Sequence, residues 1–267
     1  MKTQLGIFLV CLIGCQQKPS QPAPLVAQNE NNAMTQETFI PEKEGYALIW
    51  EDHFEGAELD TTKWSVRGVG PRRIGYNSAS TVKVKDGYLH LIYDIVEDSI
   101  LGSAVGTYEK FDTHYGYFEC RAKLQSTCGP WAAFWLQSPL ISQGEDPGEF
   151  GTEIDVFEYF KEIGSDTLTH AIHWAYGPNM VSVGPMKSAL PGLDNGFHTF
   201  ALEWTPDKYA FFIDGLRFHE QKVGISHIDQ YMILSMELPS KLENIKQAYA
   251  PDTFSVDYVK VYQKADL

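Results

Sequence analysis

From about residue 44 the chain consists of short apolar runs separated by turn residues. The runs are rich in Val, Ile, Tyr, Phe and Trp, and Gly, Pro, Asp and Asn lie between them. They include YALIW, GYLHLIY, WAAFWLQ, EIDVFEYF, LTHAIHW, HTFALEW and QYMILSMEL. Since no long helical period separates these runs, the pattern argues against a parallel α/β sheet. It predicts an all-β fold with roughly a dozen strands in a sandwich of two antiparallel sheets.

Two segments make the strand pattern more specific. FFIDGLRF predicts a hairpin, because Asp214-Gly215 tolerates the positive φ angles of a two-residue turn. In FSVDYVKVY the apolar residues Phe254, Val256 and Tyr258 alternate with polar ones, which predicts one buried and one solvated face.

The first 43 residues have a different character. MKTQLGIFLVCLIGC has an early lysine and a short apolar run before Gly14-Cys15, which is typical of a secretory signal rather than a membrane span. Its end resembles the lipobox of bacterial lipoproteins, which implies removal of residues 1–14 and lipidation of Cys15; a plain signal peptide is the alternative. Residues 15–43, rich in Gln, Pro and Asn, predict a flexible tether to a domain at 44–267.

The overall charge limits the partners. The chain of 267 residues has a net charge of −14 and no cluster of Lys and Arg that could follow a phosphate backbone, so nucleic acid is not an expected partner. We expect a monomer in the bacterial cell envelope, periplasmic or at the cell surface, that contacts the membrane through its lipid alone.

Two cysteines remain beyond the first fifteen residues. Cys120 and Cys128 are close enough along the chain to form a disulfide in an oxidising compartment. However, a hairpin turning near Ser126 would pair Cys120 with a residue beyond Trp131, so both the bonded and the free state stay open.

Three carboxylates stand close together in GTEIDVFEYF. On a strand, Glu153 and Asp155 share one face, whereas Glu158 would point to the opposite face, into the core. An unpaired buried carboxylate there would cost several kcal/mol or stay protonated. One extra residue near Val156-Phe157 restores the parity, so the sequence predicts a β-bulge at this position.

The bulge would create the geometry of a retaining glycosidase. Glu153 and Glu158 would then be four steps apart, or about 13 Å between Cα atoms, and two leaning side chains could bring their carboxyls near the ~5–5.5 Å that retention requires. Asp155 between them would help to keep one glutamate ionised and the other protonated. A solvated acidic face and a calcium site are the alternatives.

With this motif the chain resembles glycoside hydrolase family 16, whose signature is E-x-D-x-x-E in its bulged form. LIWEDHFEGAELDTTKW, YGYFECRAKL, GPWAAFWLQSP, FHTFALEWTPDKYAFFIDG and FSVDYVKVYQ also resemble the family, in the same order along the chain. The resemblance implies a β-jelly-roll with a concave cleft, and endo-hydrolysis of a β-linked polysaccharide with retention and without a cofactor. It implies that Glu153 is the nucleophile, Asp155 the assisting acid and Glu158 the acid/base.

Further residues are candidates for sugar binding. Trp131 and Trp135 share one strand face and could stack on sugar rings, although either could instead belong to the core. The resemblance places Trp135 at the cleavage point and the strand with His173 and Trp174 beside the cleft. By alternation only one of these two side chains can face the sugar, and we expect it to be His173. Trp64 and Trp204 are expected in the core.

Two departures from the family affect substrate and metal. Many glucan-cleaving members have an asparagine and a Gly-Gly-Trp where this chain has ILSMELPSK, with Ser235 and Glu237 on one face. Glu237 is therefore a substrate-binding candidate, and β-galactans, agars and host glycans stay open beside β-glucans. His53 replaces a glutamate that helps to bind a structural calcium in relatives, which leaves calcium in doubt even if Asp257 contributes.

Two other functions are compatible with the same sandwich. A non-catalytic glycan-binding lectin would keep the aromatic residues but would not need both glutamates. A transglycosylase would use the same residues with a sugar in place of water as the acceptor.

Overall fold

The computed structural model describes residues 37–265. The signal peptide expected at 1–14, Cys15 and the tether as far as residue 36 lie outside the described residues. The packed domain begins earlier than residue 44, because the ring of Phe39 stacks on Tyr117 at 4.9 Å and its N–H donates to the Gly215 carbonyl. Several residues assigned to the tether therefore belong to the domain.

The described chain is almost entirely β-structure. The strands are β1 (Ala47–Asp52), β2 (Ser65–Val66), β3 (Gly70–Arg72), β4 (Gly75–Asn77), β5 (Val82–Lys85), β6 (Tyr88–Val96), β7 (Ser99–Gly106), β8 (Asp112–Thr113), β9 (Gly116–Lys123), β10 (Trp131–Gln137), β11 (Glu153–Tyr159), β12 (Thr167–Trp174), β13 (Val181–Ala189), β14 (His198–Thr205), β15 (Lys208–Ile213), β16 (Leu216–Gln221), β17 (Gln230–Glu237) and β18 (Asp252–Gln263). One helical turn, α1, spans Pro147–Phe150, and 3₁₀ turns span Pro41–Glu44, Ala79–Thr81, Lys161–Ile163 and Leu242–Ile245.

The strands form the expected jelly-roll sandwich. One layer, the cleft sheet, has the order β13-β12-β11-β10-β17-β7-β2, and the short β8 also pairs with β17. The other layer, the outer sheet, runs β16-β15-β14-β9-β18, and β18 then pairs with both β6 and β1. All these pairs are antiparallel, and β4 makes one parallel pair with β7.

The hydrophobic core lies between the two sheets. In β10, Ala132, Phe134 and Leu136 face this core, as the period of two along a strand requires. Across the gap, the ring of Phe157 in the cleft sheet lies 4.3 Å from that of Phe200 in the outer sheet. Trp64 and Trp204 are fully buried in the same core, which confirms the expectation for both.

The predicted hairpin is confirmed, and the predicted alternation of the last strand holds only in part. Asp214 and Gly215 have φ angles of 51° and 73° between β15 and β16. In β18 the register shifts between Val256 and Tyr258, so Val259 rather than Tyr258 continues the core face. The expectation of Tyr258 on the buried face was therefore wrong, because a bulge adds one residue to the alternation.

Cys120 and Cys128 are both free thiols. Cys120 is buried in β9, opposite Phe200 on one side and Val259 on the other. Its cross-strand neighbours are therefore core residues of the outer sheet. Within residues 37–265, no helix has the length and apolar character needed to cross a membrane.

Candidate active site

The predicted bulge is present in β11. Against β12 the register shifts between Asp155 and Glu158, and against β10 Asp155 pairs with Trp135 while Phe157 pairs with Phe134. Val156 is thus the extra residue. Both Val156 and Phe157 are buried in the core, which would be impossible for consecutive residues of a regular strand.

The bulge brings the two glutamates to a separation of four strand positions. Glu153 pairs with Gln137 and Glu158 pairs with Ala133, which are four residues apart (137 − 133) although the glutamates are five apart (158 − 153). The same holds against β12, where the partners are His173 and Thr169. Since an even number of positions separates residues on one face, both glutamates and Asp155 point out of the sandwich.

His170 holds the bulge from the core side. Its Nδ1 donates to the Val156 carbonyl at 2.6 Å, and its Nε2 accepts from the Ser188 hydroxyl at 2.7 Å. Burial lowers the pKa of His170 to about 3, so the ring is neutral at ordinary pH. The imidazole therefore supplies a hydrogen bond to the carbonyl of the residue where the register slips.

The three acids line a cleft of about 590 Å³ on the outer face of the cleft sheet. Alternate residues of β10, Trp131, Ala133, Trp135 and Gln137, form its floor, and Tyr231 and Glu237 of β17 continue it. Asp155 is only 5% exposed, so the alternative of an idle, solvated acidic face is excluded.

Glu153 is held by two donors. Gln137 Nε2 donates to Glu153 Oε2 at 3.0 Å, and the Tyr176 hydroxyl donates to the same oxygen. Burial, and after it the charge of the Glu153 carboxylate, raise the pKa of Tyr176, so its hydroxyl stays protonated and remains a donor. Both hydrogen bonds therefore go to the same carboxylate oxygen, Oε2.

The carboxyl group of Glu158 has a strongly raised pKa. Burial, and secondarily the charge of Asp155, raise the pKa of Glu158 to about 8. Trp131 Nε1 donates to Glu158 Oε1 at 2.9 Å, which lowers the pKa less than burial raises it. The carboxyl is therefore protonated at neutral pH and faces the cleft as an acid.

Asp155 lies between the two glutamates. Burial and the charges of Glu153 and Glu237 raise its pKa well above the usual range. His173 Nε2 lies 3.3 Å from Asp155 Oδ2, and Ser182 Oγ is 2.7 Å from His173 Nδ1. As expected from the alternation of β12, His173 faces the acids and Trp174 packs against the core.

The cleft tryptophans are covered rather than open. Trp131 is 9% and Trp135 6% exposed. The guanidinium of Arg73 lies 4.7 Å from the Trp131 ring centre, and that of Arg67 lies 4.9 Å from the Trp135 ring centre. The Trp135 Nε1 donates to Ser235 Oγ at 3.1 Å. A sugar in the cleft would meet each indole beside a guanidinium.

Glu237 is an ion-pair centre. Arg72 Nη2 lies 2.8 Å from Glu237 Oε2, and Arg73 Nη1 donates to the same oxygen. The carboxylate is almost fully buried, while both arginine side chains are about one-third exposed, at 34% and 30%. Glu237 therefore contacts a sugar less readily than the arginines that cover it.

Sequence patterns missed several residues of the cleft, among them Gln137, Tyr231 and four side chains outside the predicted strands. Arg67, Arg72, Arg73 and Tyr176 lie in segments 66–81 and 176–195, where no strand period indicated which side chains face the site. The segment 176–195 contains strand β13, which pairs along β12 and was not anticipated. Gly184 and Pro185 in the middle of β13 are typical of turns, which concealed the strand.

The residues present do not fit calcium. His53 lies 2.7 Å from the carboxylate of Glu51, and Asp257 pairs with the guanidinium of Arg121. Ca²⁺ takes six to eight oxygen ligands, and an imidazole with an already neutralised carboxylate does not supply them. Glu153, Asp155 and His173, whose ligand atoms lie within 4.8 Å of one another, likewise offer two acids and one imidazole.

Comparisons with known proteins agree with this geometry. The family model described as Glycosyl hydrolases family 16 matches residues 73–259. A glucan endo-1,3-beta-glucosidase A1 of Niallia circulans is 25% identical over 92% of this chain and 42% of its own length. A keratan-sulfate endo-1,4-beta-galactosidase of Sphingobacterium multivorum is 25% identical over 82% of this chain and 55% of its own.

Among solved structures, a laminarinase from Flavobacterium sp. UMI-01 is similar, with a TM-score of 0.68 and 26% identity. The alignment covers 81% of this chain and 100% of the laminarinase. The chain spans less than two thirds of the length of both glycosidases named above, which therefore contain further sequence.

Proposed function

Because the chain belongs to glycosyl hydrolases family 16, we propose that it is an endo-acting, retaining β-glycanase that functions as a monomer. The observation that carries the proposal is the bulge at Val156, which puts Glu153 and Glu158 on the same face of the cleft sheet, four positions apart. Two leaning glutamate side chains can span that separation to the ~5–5.5 Å used in retention.

The first half of the reaction forms a covalent intermediate. The Glu153 carboxylate attacks the anomeric carbon while Glu158 gives its proton to the glycosidic oxygen. The bond between the anomeric carbon and the glycosidic oxygen breaks, and the protonated sugar hydroxyl leaves. The raised pKa of Glu158, about 8, keeps that proton available at neutral pH. Tyr176 and Gln137 fix the orientation of the attacking carboxylate.

The second half releases the sugar. Glu158, now ionised, takes a proton from water, and the water oxygen attacks the anomeric carbon and displaces Glu153. Burial, and after it the charges of Glu153 and Glu237, favour the protonated form of Asp155, and in that form Asp155 can donate a hydrogen bond to Glu153 as that carboxylate leaves. His173 orients Asp155 from the far side.

The substrate is a β-linked polysaccharide or complex glycan. The relatives are named for β-1,3-glucan and for keratan sulfate, a galactose-containing glycan, so both sugar classes are candidates. Ser235 and Glu237 replace the asparagine and Gly-Gly-Trp found in many glucan-cleaving relatives. A lectin is disfavoured because the cleft keeps both glutamates and raises the pKa of Glu158, neither of which sugar binding needs.

The test is a substrate panel. Purified protein is incubated with laminarin, mixed-linkage glucan, agar, porphyran, keratan sulfate and mucin glycans, and new reducing ends are measured. We expect cleavage of at least one polymer into oligosaccharides, and loss of that activity in folded Glu153→Gln. Cleavage at the parent rate by Glu153→Gln would refute the mechanism. Products longer than the substrate would identify a transglycosylase.

We also propose that a lipid on Cys15 anchors the enzyme to the bacterial envelope. The support is the sequence of the first fifteen residues, which lie outside the described part of the chain. In a bacterial host, an alkyne fatty acid should label the parent and Cys128→Ser but not Cys15→Ser. Equal labelling of Cys15→Ser would refute the anchor.

A further inference from the structure

The cleft collects positive charge in an acidic protein. The chain has a net charge of −14 and five arginines, Arg67, Arg72, Arg73, Arg121 and Arg217. Three of the five, Arg67, Arg72 and Arg73, line the cleft. Arginine is the side chain best suited to bind sulfate and carboxylate groups, because its planar fork makes two parallel hydrogen bonds.

Arg72 and Arg73 have one carboxylate between them. Both guanidiniums contact the same oxygen of Glu237, so one negative charge faces two positive charges and the group keeps a net charge of +1. One arginine would be enough to neutralise the charge of the Glu237 carboxylate. Since both side chains are about one-third exposed, part of each guanidinium faces the cleft.

Arg67 has an amide partner in place of a carboxylate. Its Nη2 donates to Gln137 Oε1 at 2.8 Å, and its guanidinium lies over the Trp135 ring. Within residues 37–265 no ion pair of Arg67 is found. Against the carboxylates of Glu237 and of Glu153, the ionised nucleophile, the three arginines therefore leave a charge of +1 (3 − 2) beside Asp155 and Glu158, whose pKa values are raised.

The guanidiniums flank both glutamates. Arg73 lies on Trp131, which donates to Glu158, whereas Arg67 donates to Gln137, which donates to Glu153. The stacking on indole rings holds each guanidinium at the cleft wall and limits its freedom before a ligand arrives. A substituent on either sugar next to the cleaved bond would lie within reach of a fixed cation.

We propose that the substrate is an anionic glycan with a sulfate ester or a carboxylate on a sugar beside the cleaved bond, bound by Arg67 and by the Arg72-Arg73 pair. The inference rests on the proposed glycanase function and narrows its substrate class. A neutral glucan would offer no anionic group to the parts of these guanidiniums that face the cleft, whereas one anionic group can accept two charge-assisted hydrogen bonds from a guanidinium.

The test compares polymers that share one backbone and differ in whether a charged substituent is present. One pair is a sulfated β-galactan and the same galactan after chemical desulfation; the other is carboxymethylated and unmodified laminarin. We expect kcat/KM to be at least ~10-fold higher on the charged member of one pair, and this ratio to fall as salt rises, since salt screens exposed charges. Which pair shows the preference distinguishes sulfate from carboxylate.

Arginine variants locate the effect. Arg67→Gln and Arg72→Gln should each lower the charged-to-neutral ratio by about tenfold, through KM, because each variant loses charge-assisted hydrogen bonds to the anionic group. Arg217→Gln, outside the cleft lining, is the matched control and should keep the parent ratio. Melting curves identify any variant that fails to fold. If a variant fails, the salt dependence of the charged-to-neutral ratio in the parent decides whether the preference is electrostatic.

The outcomes separate the two proposals. Equal or faster cleavage of the neutral members by the parent would overturn the anionic substrate while leaving the glycanase intact. A preference that neither arginine variant changes would also overturn it. Failure to cleave any of the four polymers, together with failure on the wider panel, would instead count against the proposed glycanase itself.

Discussion

His170 Nδ1 lies 2.6 Å from the carbonyl oxygen of Val156, the residue at which β11 gains its extra position. The contact links a core imidazole to the local backbone geometry that sets the spacing of Glu153 and Glu158. A residue that never faces the cleft is therefore part of what positions the two acids.

Replacement of His170 should loosen both the fold and the site. In His170→Leu the Val156 carbonyl loses its donor in the core, which costs ~1–3 kcal/mol of unfolding free energy. We expect kcat to fall more than KM rises. His170→Asn, which offers an amide donor, should recover part of both losses, and the half-buried His90→Ala serves as control. Unchanged stability in His170→Leu would show that the bond does not hold the bulge.

The same residue makes stability depend on pH. The pKa of His170 is about 3 in the folded protein and about 6.5 in the unfolded chain. Since the unfolded chain binds the proton first, the parent should lose stability as pH falls from about 6.5 towards 3. In His170→Asn this part of the slope should be absent, as measured by urea unfolding at several pH values.

Activity should decline on the alkaline side as Glu158 loses its proton. With a pKa of about 8, Glu158 is an acid below that pH, so kcat/KM should fall as pH rises through about 8. A raised pKa also means that this residue destabilises the fold at high pH. Glu158→Gln should lack the alkaline decline and should unfold at a higher temperature than the parent at pH 9. An alkaline decline that survives in Glu158→Gln would assign it to another group.

Tyr176 should affect the chemical step rather than binding. Tyr176→Phe removes one of the two donors to Glu153 Oε2. Because hydrogen bonds to charged groups contribute ~1.5–3 kcal/mol, we expect kcat to drop about tenfold or more with little change in KM. Tyr249→Phe, at a position 53% exposed, is the control. A rise in KM with constant kcat would place Tyr176 in substrate binding instead.

Chelation should leave the enzyme unchanged. His53 and Asp257 stand at the two positions considered for calcium, and they are already paired with Glu51 and Arg121. Melting temperature and activity should be the same in EDTA and in excess CaCl₂. A melting temperature that rises with calcium would show that these residues rearrange around an ion.

The parts of the structure that follow a strict period could be predicted from the sequence. Parity alone required the bulge between Asp155 and Glu158, because the alternative put an unpaired carboxylate into the core. The same alternation put Trp131 and Trp135 on one strand face, whereas it was the resemblance to the family that placed Trp135 at the cleft. The second bulge, at Asp257, could not be predicted by the same argument. Placing Tyr258 on either face of the strand costs little free energy, because its side chain is compatible with partial burial.

Loop residues could not be predicted in this way. Arg72, at the end of β3, and Arg73, in the short turn to β4, reach the cleft, and Arg73 has a positive φ of 49°. The conformation of such a turn depends on its tertiary contacts with Glu237 and Trp131, which are distant in sequence. For the same reason the sequence did not predict that Arg73 covers Trp131 and Arg67 covers Trp135.

The most direct test of the account is azide rescue of the two glutamates, on an activated aryl β-glycoside of an oligosaccharide that the parent releases. In Glu153→Ala, azide replaces the lost nucleophile and should give the α-glycosyl azide. In Glu158→Ala the covalent intermediate still forms on Glu153, because the aryl leaving group needs no proton, so azide should give the β-glycosyl azide, and proton NMR distinguishes the two anomers. The β-azide from Glu153→Ala and the α-azide from Glu158→Ala would contradict the assignment of Glu153 as the nucleophile.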